Sequence, residues 1–314
     1  MLSRRHIRIK VMQLLYAKSR DSDLTLDDLL RRFQTYGKKT LELYVFNLYQ
    51  YIEVAHYSVK DYNLRQAKFT PREEDKKFKP TLYENDILQG FINSGRYKKS
   101  LKSYSFILND PDKQKDTTRL MYQKFLETDI YQKYLALKHP TDIDHKNVLI
   151  DLYRFLSNEE NFLETMEDFS MSWIDDDTLI EGAMKKTIKA MPSDELLIDS
   201  FSEEDKQTFD FGEKLLVQSY RRDEEVLNII KPVLQNWDSE RVAAVDMILM
   251  KMAVCELLGF PSIPTKVTIN EYVDVSKMYS TDKSKDFVNG ILDKVMKQLK
   301  EENKIVKEGR GLIE

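Results

Sequence analysis

Apolar residues return every three or four positions through nearly the whole chain, and convincing runs that alternate apolar with polar are absent. That period predicts helices throughout, hence an all-α fold. The stripe Ile7, Val11, Leu14 and Leu15 predicts a first helix from Ser3 to about Arg20. A second is expected from Thr25 to Tyr36, ending near Gly37, and a long aromatic one from Lys39 to about Gln66. Pro71, Pro80, Gly90, Gly95 and Pro111 then punctuate a region of short helices. The stripe Tyr122, Leu126, Ile130, Tyr134 and Leu137 predicts one helix from Asp116 to Lys138, stopped by His139-Pro140. Two acidic helices are expected between Asp144 and Met191.

The last hundred residues are the most regular, with helices predicted near 206–220, 223–236, 239–258, 268–279 and 283–300. Residues Arg241 to Leu258 are apolar at 14 of 18 positions, as befits the central helix of a bundle. Its charges, Arg241, Asp246, Lys251 and Glu256, fall every fifth position and share no face. Each must reach a rim or find its own partner, because an unpaired buried charge is costly. Thr268-x-x-Glu271 has the form of a capping box and places a helix start just after Pro264. The final helix carries a double stripe of Phe287, Val288, Ile291, Leu292, Val295, Met296 and Leu299. Gly290 inside it costs ~1 kcal/mol relative to alanine, which implies close approach of another backbone or a ligand.

Composition narrows the function. The 314 residues suffice for one large domain or two small ones. Nine glycines, with no G-x-G-x-x-G and no G-x-x-x-x-G-K-[ST], argue against dinucleotide-binding and P-loop enzymes. One cysteine, Cys255, excludes an intrachain disulfide and any zinc site needing two thiolates. No run of eighteen apolar residues lacks charge, and the chain opens on a basic helical segment, so a cytoplasmic protein without a membrane partner is expected. The net charge of −4 hides an asymmetry: residues 1–138 hold 27 Lys/Arg against 17 Asp/Glu, 139–205 hold 5 against 18, and 206–314 hold 17 against 18. A basic segment attracts polyanions and an acidic one repels them. Arg4, Arg5, Arg8, Lys10, Lys18 and Arg20 face no acid in the first twenty positions, and the first-turn pair opposes the helix dipole. RNA or another polyanion would accept both these guanidinium groups and the free amides of the helix start.

Other constellations read as structure. His139, Asp142, Asp144 and His145 gather metal-type ligands in seven residues, yet Pro140 with Asp142 or Asp144 also makes an ordinary helix-to-helix turn and cap. Asp175, Asp176 and Asp177 read as a break or cap, not as a magnesium cage. Tyr44, Phe46, Tyr49, Tyr51, Tyr57 and Tyr62 mix faces, which favours core packing over base stacking. No catalytic set, metal or cofactor is expected.

Four separated blocks carry a family resemblance: Trp237-Asp-Ser-Glu-Arg241, Ala253-Val-Cys-Glu-Leu257, Ile263-Pro-Thr-Lys-Val-Thr-Ile-Asn-Glu271 and Phe287-Val-Asn-Gly-Ile-Leu-Asp-Lys294. With Arg4-Arg5-His-Ile-Arg8 and Leu15-Tyr16, they resemble the NusB transcription antitermination factors. The resemblance implies a NusB-like helical bundle made of residues 1–36 and 205–302. It leaves 37–204 as a large helical insertion, basic to about 138 and acidic over 139–204; the tail 303–314 is expected to be disordered because Lys304 to Glu314 has few apolar residues and two glycines. It also implies a non-enzymatic factor that binds boxA-type single-stranded RNA of nascent rRNA, with the small-subunit ribosomal protein NusE, in the RNA polymerase elongation complex. By position, Arg4, Arg5 and Arg8 would contact phosphates, with Tyr16 at the edge, and Phe287 before Asn289 would stack on a base. Lys283 and Lys285 take over the basic position that is Asp286 here, and Asp246 would face the ribosomal-protein partner. The rival expectation is a non-catalytic helical accessory or scaffold related to the RNA-binding module of RNA cytosine methyltransferases.

Overall fold

The computed structural model describes residues 3–104, 111–198, 202–234, 242–281 and 283–308; the Trp237 to Arg241 block and the end of the expected tail, 309–314, lie outside the described residues. Among the described residues there are fifteen α-helices and no strand. The chain divides into two compact units, one formed by 38–201 and the other by 2–37 with 202–314.

Helix α2, Leu26–Gln66, lends its first turns to the second unit and the rest to the first. It runs unbroken through Gly37, where a helix end was expected. The ~1 kcal/mol that a helical glycine costs is outweighed by burial on either side, at Phe33 and Tyr36 before it and Thr40 and Leu41 after it. A box between Thr25 and Asp28 starts it: the Asp28 amide donates to the Thr25 hydroxyl, and the Thr25 amide donates to the Asp28 carboxylate.

The first unit adds α3 (Glu73–Lys77), α4 (Asp86–Ile92), α5 (Gly95–Ser103), α6 (Pro111–Leu126), α7 (Asp129–Leu135), α8 (Asp142–Leu156), α9 (Glu160–Phe169) and α10 (Trp173–Ala190). Its aromatic core includes Tyr44, Phe46, Tyr51, Tyr122, Tyr131 and Tyr153, so Tyr44, Phe46 and Tyr51 of α2 serve packing, with Tyr57 partly buried against this core. The single helix expected over 116–138 is two, because the Thr128 hydroxyl caps α7 by accepting from the Tyr131 amide. Three helices, not two, fill 142–190. The acids at 175–177 break nothing: they lie in the first turns of α10, where Asp176 is buried and accepts from the Thr40 hydroxyl at 3.3 Å. Thr141, not an aspartate, caps α8, with Asp144 returning the bond, and His145 Nδ1 lies 2.8 Å from the Tyr134 hydroxyl. No group of three or more His, Cys, Asp or Glu that could hold a metal exists among the described residues.

The second unit contains α1 (Arg4–Arg20), α11 (Glu203–Arg221), α12 (Asp223–Ile230) with a 3-10 turn at Lys231–Leu234, α13 (Ala244–Gly259), α14 (Thr265–Tyr279) and α15 (Ser284–Glu301). Helix α13 is central: α1, α11, α12, α14 and α15 all pack on it. Its buried Leu249, Met252, Ala253, Cys255 and Leu257 leave almost no wet face. Helix α1 meets α11 so closely that a Cβ at Gly212 would lie 2.2 Å from Ile7 Cγ2 and 2.5 Å from Phe33 Cζ. Residues 303–308, expected to be disordered, are tied back: Lys307 Nζ donates to the Phe260 carbonyl at 3.0 Å and the Glu308 amide to the Pro261 carbonyl at 3.1 Å.

Candidate nucleic-acid interface

Helix α1 begins at Ser3, whose hydroxyl accepts from the His6 amide at 3.3 Å. Its first turn holds no acid. Arg4 is exposed, its guanidinium 5.5 Å from the centre of the Phe211 ring. Arg5 turns the other way, toward α14. Its Nε and Nη2 donate to the two oxygens of Glu271 at 3.0 and 2.8 Å, and Nη2 also donates to Asp274 at 3.0 Å. These bonds to Glu271 lead the contributions that raise the Arg5 pKa.

Arg8 departs from the expectation of a phosphate contact. It is 2% exposed, and its Nε and Nη2 grip both oxygens of Glu256, which is 0% exposed, at 2.8 and 2.7 Å. Thr268 Oγ1 and the Tyr272 hydroxyl donate to the same carboxylate at 2.9 and 3.0 Å, and Arg8 Nη1 reaches Glu271 at 3.3 Å. The guanidinium also stands over the rings of Phe211 and Tyr272. Burial alone would lower the Arg8 pKa, but the Glu256 bonds and charge overcome it and hold it raised. Burial likewise pushes the Tyr272 hydroxyl well above its ordinary range. Arg8 therefore positions α1 on α13 and α14 instead of meeting solvent.

The same network corrects the expected capping box. Helix α14 starts at Thr265 after Pro264, so Thr268 and Glu271 sit inside it, one turn apart, and turn toward Arg8. A Thr-x-x-Glu spacing marks a helix start and also a single helical face. Here it is the face. Lys251 finds Asp223 at 2.6 Å, so the described charges of α13 each have their own partner.

Asp246, expected to face a protein partner, is 4% exposed. Its Oδ2 accepts from Ser284 Oγ at 2.7 Å, and Ser284 Oγ accepts from the Thr281 amide at 3.2 Å. The carboxylate thus anchors the turn between α14 and α15 from inside. Lys283, Lys285 and Asn289 are exposed at the start of α15, Phe287 is half-buried, and Tyr16 is exposed beneath the Arg20 guanidinium, 5.0 Å from its ring centre. Tyr16 lies twelve residues along α1 from Arg4, about 18 Å at the helical rise. Gly290 meets nothing within 4 Å, so no neighbouring backbone explains it. Helix α14 packs against both α1 and α15, and so joins the arginine end of α1 to the helix that carries Phe287. Sequence reasoning missed Glu256, Thr268, Glu271, Tyr272 and Asp274 as partners of the arginines. The signal available was Glu256 itself, an acid in an overwhelmingly apolar helix that had to find a cation.

Comparison with known proteins covers α11 to α15 of this unit together with α10 of the first. A family model described as "NusB family" matches residues 172–297, from the start of α10 through most of α15. The transcription antitermination protein NusB of Salinibacter ruber is 40% identical over 111 residues, which is 35% of this chain and 69% of that protein. The chain belongs to the NusB family. Its NusB relative from Natranaerobius thermophilus is 32% identical over 107 residues, covering 34% of this chain and 77% of that protein. The NusB of Chloroherpeton thalassium is 46% identical over 79 residues, 25% of this chain and 37% of that protein. No solved structure matches the chain. No helix among the described residues is long and apolar enough to cross a membrane. Of the first unit, residues 38–171 precede the family match and 172–201 lie within it.

Proposed function

We propose that this chain is a transcription antitermination factor that binds boxA-type single-stranded RNA of nascent rRNA, together with the ribosomal protein NusE, within the RNA polymerase elongation complex. The second unit serves as its RNA-binding core and the first as an insertion into that core. The observation that carries the reading is the start of α1: a turn with two arginines and no acid, in which Arg4 is exposed and makes no ion pair with a described residue. Arg4 and Arg5 position the backbone by phosphate contacts, with Lys283 and Lys285 as further cations. Phe287, half-buried on α15 beside exposed Asn289, offers a ring edge to an unstacked base, and Tyr16 extends the surface along α1. Arg8 acts indirectly, by holding α1 in place.

The test is a titration of labelled boxA-like single-stranded RNA across salt, with and without NusE. Affinity should rise with NusE and fall with salt by a slope of roughly −0.7 per phosphate contact. Phe287→Ala should cost ~1 to 3 kcal/mol of binding, and Arg4→Ala should flatten the salt slope. If both variants bind as the wild type does, the surface is misassigned.

A further inference from the structure

The cations of α1 are unequal. Arg8 is neutralised by Glu256 and also touches Glu271. Three of the five N–H donors of Arg5 are spent on Glu271 and Asp274, while the two on Nη1 make no hydrogen bond with a described residue. The two arginines thus face three carboxylates, and Lys277, 2.6 Å from Asp274, balances the third. Two of the six cations of α1, Arg5 and Arg8, thus lie in a locally neutral cluster, while Arg4 stays outside it.

This neutrality matters because the attraction of phosphate for cations carries no sequence information and acts on any nucleic acid. A phosphate arriving at Nη1 of Arg5 meets one correctly aimed donor edge, and it also meets two half-solvated carboxylates a few ångströms behind it. We propose that Glu271 and Asp274 determine the specificity of this surface: they aim Arg5 while cancelling its long-range pull, so that a bare polyanion gains little and an RNA offering an unstacked base is preferred. The proposal rests on the RNA-binding reading above, and follows the general rule that discrimination is built by penalising the wrong ligand. A carboxylate about 6 Å from a phosphate, seen through a mostly aqueous dielectric, weakens binding about threefold at low salt, and up to tenfold if partly shielded from water.

The experiment compares wild type, Glu271→Gln and Asp274→Asn, each with and without Arg5→Gln. The probes are a labelled boxA-like single strand and the same strand annealed to its complement, measured over a range of salt. Both charge-neutralising variants should tighten duplex binding about threefold to tenfold at low salt, steepen its salt dependence toward one more ion, and narrow the preference for the single strand. Arg5→Gln should abolish most of that gain. A purely structural role would leave the salt slope unchanged. Unchanged or weaker duplex binding in Asp274→Asn, whose side chain is surface-accessible, overturns the proposal while wild-type binding upholds the RNA reading. A gain that survives Arg5→Gln in full overturns it too. A wild type that binds neither RNA overturns both.

Discussion

Replacing Arg8 by alanine tests whether this arginine is structural. The side chain is 2% exposed and its partner Glu256 is 0% exposed. Glu256 accepts four hydrogen bonds, two from Arg8 and one each from Thr268 and Tyr272. Arg8→Ala leaves a buried carboxylate with two hydroxyl donors and no cation. Breaking a buried ion pair from one side costs ~3 to 5 kcal/mol, and the lost stacking over Phe211 and Tyr272 places this site toward the upper end. With ~4 kcal/mol lost, and ~2 to 4 °C per kcal/mol for a unit of this size, the melting temperature should fall by about 8 to 16 °C. Thermal and urea unfolding followed by circular dichroism read this directly. Arg8→Lys, which keeps the charge but not the fork, should lose roughly half as much. An Arg8→Ala variant within ~1 kcal/mol of wild type would refute the buried-pair argument and return Arg8 to the pool of RNA contacts.

Two glycines should respond oppositely to alanine. Gly212→Ala drives a methyl into Ile7 and Phe33 and should cost ~1 to 3 kcal/mol, whereas Gly290→Ala, in open space on α15, should raise the stability of the helix by up to ~1 kcal/mol; denaturant midpoints separate the two. Cys255 is buried, and burial pushes its thiol up to about 11. At pH 8 it is therefore almost wholly protonated as well as buried, so native protein should resist iodoacetamide while unfolded protein is alkylated, as mass spectrometry would show.

The parts of the fold visible in the sequence were those carried by local periodicity. The stripe from Val288 to Leu299 is the buried face of α15, and the apolar run before Leu258 is the central helix. Local pattern failed where a partner lies far along the chain. Nothing near Arg8 announces Glu256, 248 residues away, and nothing near Thr268 distinguishes a cap from one face of a helix. Gly37 failed for a related reason: a single unfavourable residue yields to burial on both sides, which periodicity does not weigh. For the candidate site, the residue types at Arg4, Arg5, Lys283, Lys285 and Phe287 were legible, but not how their charges cancel. Charge counting along a sequence assumes solvated side chains, and Arg5 and Arg8 spend theirs internally.

The discontinuous second unit, residues 2–37 and 202–314, sets an order in time. During synthesis α1 precedes the helices it packs on: α11, which meets Ile7, and Glu256, which neutralises Arg8 from 248 residues away, come much later. At about 5 to 20 residues per second, α1 waits on the order of 10 to 60 s with its apolar stripe uncovered and Arg8 still cationic in water. The intervening unit is complete in the chain before α11 begins, so it can fold during that wait. Helix α1 is therefore at its stickiest early, and Arg8 keeps its free charge until α13 and α14 arrive.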